Sequence, residues 1–351
     1  MGRRSMPSGA MRVLWIQVMV SVVFGGFAVA GASPASAATA TGAVSSLGSA
    51  IRAIAVATDP VNGPLVAYQT FAGDVYVKEG SLNAGWVKEA GPGVQAVAVA
   101  TDPVNGPLIA IVDSTGTAYA KTGSLNAGWV NERGPGVRAI AVATDPVNGP
   151  LLAIVDSTGT EYAKEGSLNA GWVQGPGPKV RDVVAASDPA NGPLLATVDN
   201  TGTVYATEGS LNNAWVNERG PGVWQVSVAS DPTNGPLIAT VDLTGTAWAK
   251  QGSLNAGWVY ERGPGIWQVS VASDSTNGPL IAAIDLTGTV WAKQGSLNAG
   301  WVKEQGPGVW AVAAASDPTN GPLLAILRWL DYWGKSGSLN AGWVFLKGPR
   351  P

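Results

Sequence analysis

The sequence predicts an all-β fold: a seven-bladed β-propeller of four-stranded antiparallel blades, with about 43 residues to each repeat. Three observations lead there. Asp59, Asp102, Asp145, Asp188, Asp231, Asp274 and Asp317 fall 43 residues apart, each inside T/S-D-[PS]-x-N-G-P-L. The stretch G-S-L-N-A-G-W-V recurs from Gly80, Gly123, Gly166, Gly252, Gly295 and Gly337, and as G-S-L-N-N-A-W-V from Gly209. Between these marks, short apolar or alternating runs are separated by turn residues, with no helical periodicity.

The unit that begins at Val137 shows how each strand arises. Residues 137 to 144 are apolar and rich in β-branched side chains, and the run stops at Asp145-Pro146. Asn148-Gly149-Pro150 marks a turn, and residues 151 to 155 form a second apolar strand. Asp156-Ser157-Thr158-Gly159 has the composition of a tight hairpin, in which Asp bonds forward and Gly supplies the positive φ. Residues 160 to 164 alternate as a third strand, and Trp172-Val173-Gln174 opens a fourth. Polarity rises along the unit, from apolar first strands to fourth strands such as Asn131-Glu132-Arg133. That gradient places the first strand nearest the ring axis and the fourth at the solvent.

A β-solenoid is the rival fold, and it would need atypical capping repeats at its ends. A ring buries its end units against each other and needs none. The last unit departs most: residues 327 to 333 lack the hairpin glycine, which suits either a modified closing blade or a separate aromatic pocket. Residues 43 to 47 fall where a strand would precede the first blade, although Trp343 onward already supplies that strand.

Arg3, Arg4 and Arg12 precede an apolar run over residues 13 to 30, and Ala35-Ser36-Ala37 suits a signal peptidase. Residues 1–37 are therefore expected to be a signal peptide cleaved near Ala37 or Ala38, with an uncleaved anchor as the competing reading. A short segment, 38–50, then leads to one propeller domain over 51–351. Cleavage would move the formal charge from −3 to −6, with 18 basic against 24 acidic residues. An acidic chain with its basic residues spread thinly argues against nucleic acid or an anionic membrane as partner. The chain has no cysteine and no histidine. Ser-His-Asp and Cys-His catalysis and the usual zinc ligands are thereby excluded, and no metal or cofactor is expected. Stability must come from the core alone, without disulfides.

Apolar strand, G-P-L-x-A, D-x-T-G-T-x-[YW]-A-K and G-W-V follow one another through residues 51 to 348. This layout resembles the repeats of tectonin and tachylectin-2 propellers, and those of bacterial and fungal seven-bladed fucose-binding lectins. The resemblance is architectural. It implies a multivalent sugar-binding protein. Together with the leader and the missing catalytic residue types, the expectation is a secreted, non-catalytic carbohydrate-binding propeller whose partners are glycans or glycoconjugates.

The candidate ligand-binding residues are Trp86, Trp129, Trp172, Trp215, Trp258, Trp301 and Trp343, one in each unit. An indole can stack on the apolar face of a sugar, or pack between blades. Three residues earlier lie Asn83, Asn126, Asn169, Asn212, Asn255, Asn298 and Asn340, whose amides can both donate to and accept from hydroxyls. Secondary candidates are Trp224, Trp267 and Trp310, which replace Arg52, Gln95, Arg138 and Arg181 of the first four units and divide the ring into two arcs. Asp113, Asp156, Asp199, Asp242 and Asp285 read as turn formers rather than calcium ligands or glycosidase acids. An extracellular protein-binding scaffold is the alternative function; a glycoside hydrolase or sialidase-like enzyme carries less support.

Overall fold

A computed structural model describes residues 29–30, 51–177, 179–328 and 331–346. The proposed cleavage site and residues 43 to 47 lie outside the described residues. Seven sheets follow in chain order, spanning residues 51–90, 96–133, 137–174, 180–219, 223–262, 266–305 and 309–345, here blades 1 to 7. In blade 3, Val137–Asp145, Gly149–Asp156, Glu161–Glu165 and Val173–Gln174 pair consecutively and antiparallel. Val29–Ala30 adds a short parallel strand beside Val184 and Ala185 of blade 4. All four strands of blade 7 come from the chain's last units, ending on Val344–Phe345.

The first two strands of each blade form the core because almost every side chain on both their faces meets a neighbouring blade. Leu151, Leu152 and Ile154 are fully buried, and each contributes about 1.5–3 kcal/mol of transfer free energy. Alanines at 53, 55, 57, 96, 98 and 100 keep the first strands thin enough for seven to converge on the axis. In blades 5 to 7 the converging strands are also bridged by side chains. Gln225 Oε1 accepts from Val269 N at 2.8 Å, and Ser270 Oγ accepts from Ala314 N at 3.0 Å.

The D-P-x-N-G-P turns do more than reverse the chain. Asp59 Oδ1 accepts from the amides of Val61 and Asn62, and its Oδ2 accepts from Asn62 Nδ2 and from Thr101 Oγ1 of the next blade at 2.6 Å. Asn62 Nδ2 also reaches the Asp102 carbonyl, at 3.2 Å. The same two inter-blade bonds recur around the ring, and the last pair closes it: Thr58 Oγ1 donates to Asp317 Oδ2 at 2.7 Å, and Asn320 Nδ2 to the Asp59 carbonyl at 3.1 Å. This end of the ring also carries the G-S-L-N-A-G-W loops. The opposite end carries the D-x-T-G-T hairpins and the links between blades.

Candidate functional site

The seven repeated tryptophans lie at the junctions between blades, each half-buried. Five share one geometry. Trp129, Trp172, Trp258, Trp301 and Trp343 donate Nε1 to the carbonyls of Glu89, Glu132, Glu218, Glu261 and Glu304 in the preceding blade, at 3.0–3.3 Å. Beneath each indole a lysine of the same blade pairs with the carboxylate of that glutamate: Lys121–Glu89, Lys164–Glu132, Lys250–Glu218, Lys293–Glu261 and Lys335–Glu304, with side chains only 1–3% exposed. Each Nζ also donates to a leucine carbonyl, of Leu125, Leu168, Leu254, Leu297 or Leu339, and lies 5.0–5.3 Å from the indole centroid. A buried ion pair is tolerable only when further contacts offset its desolvation, and the tryptophan lid and leucine carbonyl supply them. Burial pushes the carboxyls of Glu132, Glu218, Glu261 and Glu304 up, against the downward pull of their lysines.

The fourth strand's polar composition therefore does not mark solvent alone. Glu132 is buried because strand alternation turns it toward the next blade while its neighbours face out. Lys–Glu pairing across 31 or 32 residues was not anticipated from the sequence, although the repeated Y/W-A-K and x-E elements carry it.

Two junctions differ. At the closing junction Leu346 takes the glutamate's place, so Lys78 donates to the Leu82 carbonyl at 2.7 Å and sits 4.3 Å from the Trp86 centroid. Trp86 packs there against Tyr68 and Tyr332, at 4.6 and 5.7 Å. The departing last unit thus contributes Tyr332 to an aromatic seam with blade 1. Trp215 is the other exception, lying beside Gly175. Asn83, Asn126, Asn169, Asn212, Asn255, Asn298 and Asn340 are all exposed at the loop tips, on the same end as their tryptophans' loops.

Trp224, Trp267 and Trp310 come to the hairpin end of the ring. Trp224 and Trp267 line a cavity of about 550 Å³ between blades 5 and 6, with Leu243, Leu286, Pro264 and Asp242. Trp224 is 40% exposed, Leu243 73% and Leu286 78%. The corresponding hairpin positions in blades 2 to 4 are Ser114, Ser157 and Asn200, so the aromatic arc is also an aliphatic one. In blades 3 and 4 Arg138 and Arg181 instead reach across to the carbonyls of Val180 and Val223.

The Asp242 carboxylate is committed to its own hairpin. Oδ1 accepts from Thr244 N, Thr244 Oγ1 and Thr246 N, and Oδ2 from Trp248 Nε1 at 3.1 Å. Burial alone would raise this carboxyl, but those hydrogen bonds outweigh it and hold it below its ordinary value. Asp113, Asp156, Asp199 and Asp285 make the same turn bonds in separate hairpins. Among the described residues no group of three metal-ligating side chains occurs.

No protein-family model and no curated protein sequence matches the chain. Solved structures do. The BP39L lectin from Burkholderia pseudomallei matches with a TM-score of 0.62 and 15% identity, over 82% of this chain and 94% of the lectin. BBS1N, solved in complex with ARL6DN, matches with a TM-score of 0.55 and 10% identity, over 79% of this chain and 89% of that one. At these identities the likeness is one of fold: the chain is a seven-bladed all-β propeller that resembles a lectin-type propeller.

Proposed function

We propose that the protein is a secreted, multivalent carbohydrate-binding propeller without catalytic activity. The observation that carries this reading is aromatic surface repeated around a ring: seven half-buried junction tryptophans beside exposed asparagines, and the Trp224–Trp267 cavity on the opposite end. Repeated weak sites on one rigid body gain affinity through avidity without any new contact. The lectin likeness supports the same reading, and the hairpin aspartates, each occupied by its own turn, offer no facing carboxyl pair for glycoside hydrolysis.

A protein-binding scaffold is the second reading, and one observation favours it. The cavity between blades 5 and 6 is walled by Trp, Leu, Ile and Pro, while the oxygens of its one carboxylate already accept from the hairpin and Trp248. Such a wall suits an apolar side chain as well as a sugar face.

A glycan array with the secreted protein, followed by tryptophan-fluorescence titration, tests the proposal. Binding is expected to fall at least tenfold in W224A/W267A if the cavity is the site, and in W258F or W301F if the junctions are. The absence of any glycan response refutes it, and a captured protein that free sugars do not displace establishes the scaffold reading. N-terminal sequencing of exported protein checks the leader: a start at residue 38 or 39 is expected, and an intact residue 1 refutes cleavage.

A further inference from the structure

The junction between blades 3 and 4 gathers the repeat's departures in one place. Gly175 stands where five other junctions have glutamate and the closing one Leu346, and Thr207 where all six have lysine. The overlying loop reads Asn212-Asn213-Ala214 rather than Asn-Ala-Gly. Glu161, in the third strand of blade 3, replaces an apolar residue: Val75, Ala118, Val204, Ala247, Val290 or Tyr332 in the other blades. Strand alternation turns Glu161 away from Lys164, which faces blade 2, and so toward blade 4.

The Glu161 carboxylate occupies the room that a side chain at 175 would need. A Cβ built on Gly175 would lie 1.8 Å from Glu161 Oε2 and 3.2 Å from Trp215 Cζ2. Glu161 is 1% exposed, and its Oε1 has no hydrogen-bond partner among the described residues. The groups shown around it are the Gly175 amide from its own blade and the uncharged Trp215 indole from blade 4, and Thr207 holds the repeat position from which lysine reaches this point at the other junctions. Thr207 Oγ1 donates instead to the Asn213 carbonyl, at 3.3 Å. The set that holds an ammonium at five other junctions is thus altered in two places: its carboxylate now comes from Glu161 of the third strand instead of the fourth-strand glutamate, and its lysine is shortened to threonine. Trp215 keeps the indole, and Leu211 occupies the repeat position whose carbonyl accepts from the lysine elsewhere. Half-exposed Gly175 leaves the approach bare of side chain.

We infer that the junction between blades 3 and 4 binds a primary alkylammonium group of an external ligand, entering past Gly175 to sit between Glu161, the Leu211 carbonyl and the Trp215 indole. The inference stands independently of the glycan reading. The chemistry is shared by small alkylamines, lysine side chains and amino sugars. Binding carries a proton signature. Burial pushes Glu161 up to about 8, partly offset by the Gly175 amide, so below that pH an arriving cation must displace a proton. Affinity is then expected to rise about tenfold per pH unit between about 6 and 8. Glu165, on the same strand face, is itself pushed up to about 7 by burial and by Asp145, so the pH slope must be assigned by substitution.

The test uses the full ring and calorimetric titration with n-propylammonium, Nα-acetyl-lysine amide and glucosamine, against tetramethylammonium as a control for charge alone. Saturable binding of propylammonium at pH 8, weakening about a hundredfold by pH 6, is expected. The other two ligands show which carrier fits. T207K, which restores the residue type of the other blades, is expected to abolish binding by filling the site. E161Q is expected to remove both binding and the pH slope. No preference for propylammonium over tetramethylammonium, or unchanged binding in either E161Q or T207K, overturns the inference.

Discussion

Lys250→Met tests whether the blades are tied by their buried ion pairs. Methionine keeps most of the lysine's volume and removes the ammonium, which contacts Glu218, the Leu254 carbonyl and the face of Trp258. The residue left behind is the problem. Glu218 is 2% exposed in its side chain, and its Oε1 already lacks a hydrogen-bond partner. Removing one partner of such a pair costs about 3–5 kcal/mol, because the other charge stays buried without compensation. With an unfolding entropy of about 2 cal/mol/K per residue over ~300 residues, that loss lowers Tm by about 5–8 °C. Differential scanning calorimetry at pH 7 measures it. The double variant E218L/K250M removes both charges, and it is expected to recover most of the loss, as the natural Gly175/Thr207 junction does without either group. A K250M shift below about 1 °C, or a double variant as unstable as the two single changes combined, would refute the reasoning.

Glu161 should show the opposite sign. Its folded value of about 8 lies above the ordinary 4.5, so the unfolded chain loses its proton first as pH rises. The stability penalty is absent below about pH 4.5, grows up to about pH 8 and is then constant. The full shift corresponds to about 5 kcal/mol, an upper bound. E161Q is therefore expected to match wild type near pH 4.5 and to unfold at higher denaturant near pH 8; equal midpoints at both pH values would contradict the burial argument. Asp317→Ala removes the acceptor of the closing Thr58 bond and of its own turn, which predicts a loss of about 2–4 kcal/mol. Asp113→Ala, in an exposed hairpin, should cost about 1 kcal/mol or less, and equal costs in chemical denaturation would show that the Asp ring does not close the propeller. Glycine at 257 has no Cβ clash within 4 Å and no positive φ, so Gly257→Ala should leave Tm unchanged or slightly raised, as Ala214 already implies.

The fold was legible because its determinants are local and repeated. A hairpin aspartate, a turn glycine and strand alternation each act within a few residues, and a constant spacing carries the result around the ring. Inter-blade chemistry was harder to read, since it joins positions an entire repeat apart. The hydroxyl before each D-P-x-N-G turn, Thr101 or Ser187 for example, was visible in the motif. Its partner is the aspartate of the preceding unit, 42 residues away, and nothing in one strand announces that distance. The junction tryptophans were likewise found by repetition, but their lysine and glutamate were not, because a buried charge in an outer strand reads as solvent polarity until a neighbouring sheet covers it. The arc of Trp224, Trp267 and Trp310 was legible as a break in repetition; only the structure adds Leu243 and Leu286 to it.

Near-identical repeats supply their own controls, and the junction between blades 3 and 4 uses them. Random drift scatters changes over seven copies. Here Glu161, Gly175, Thr207, Asn213 and Ala214 are spread over two units yet belong to one junction. Compensation explains part of the cluster: losing either the lysine or the glutamate alone strands a buried charge, so the two are best lost together. It does not explain Glu161. A valine or alanine at that position serves the other blades, and either would bury no carboxyl. Glutamate there lowers the stability of the ring at neutral pH, and among the described residues the Gly175 amide, not a lysine or arginine, is what offsets it. A costly group placed where the rest of an ammonium site survives is what a ligand-binding cleft requires, and it is what packing alone would have removed.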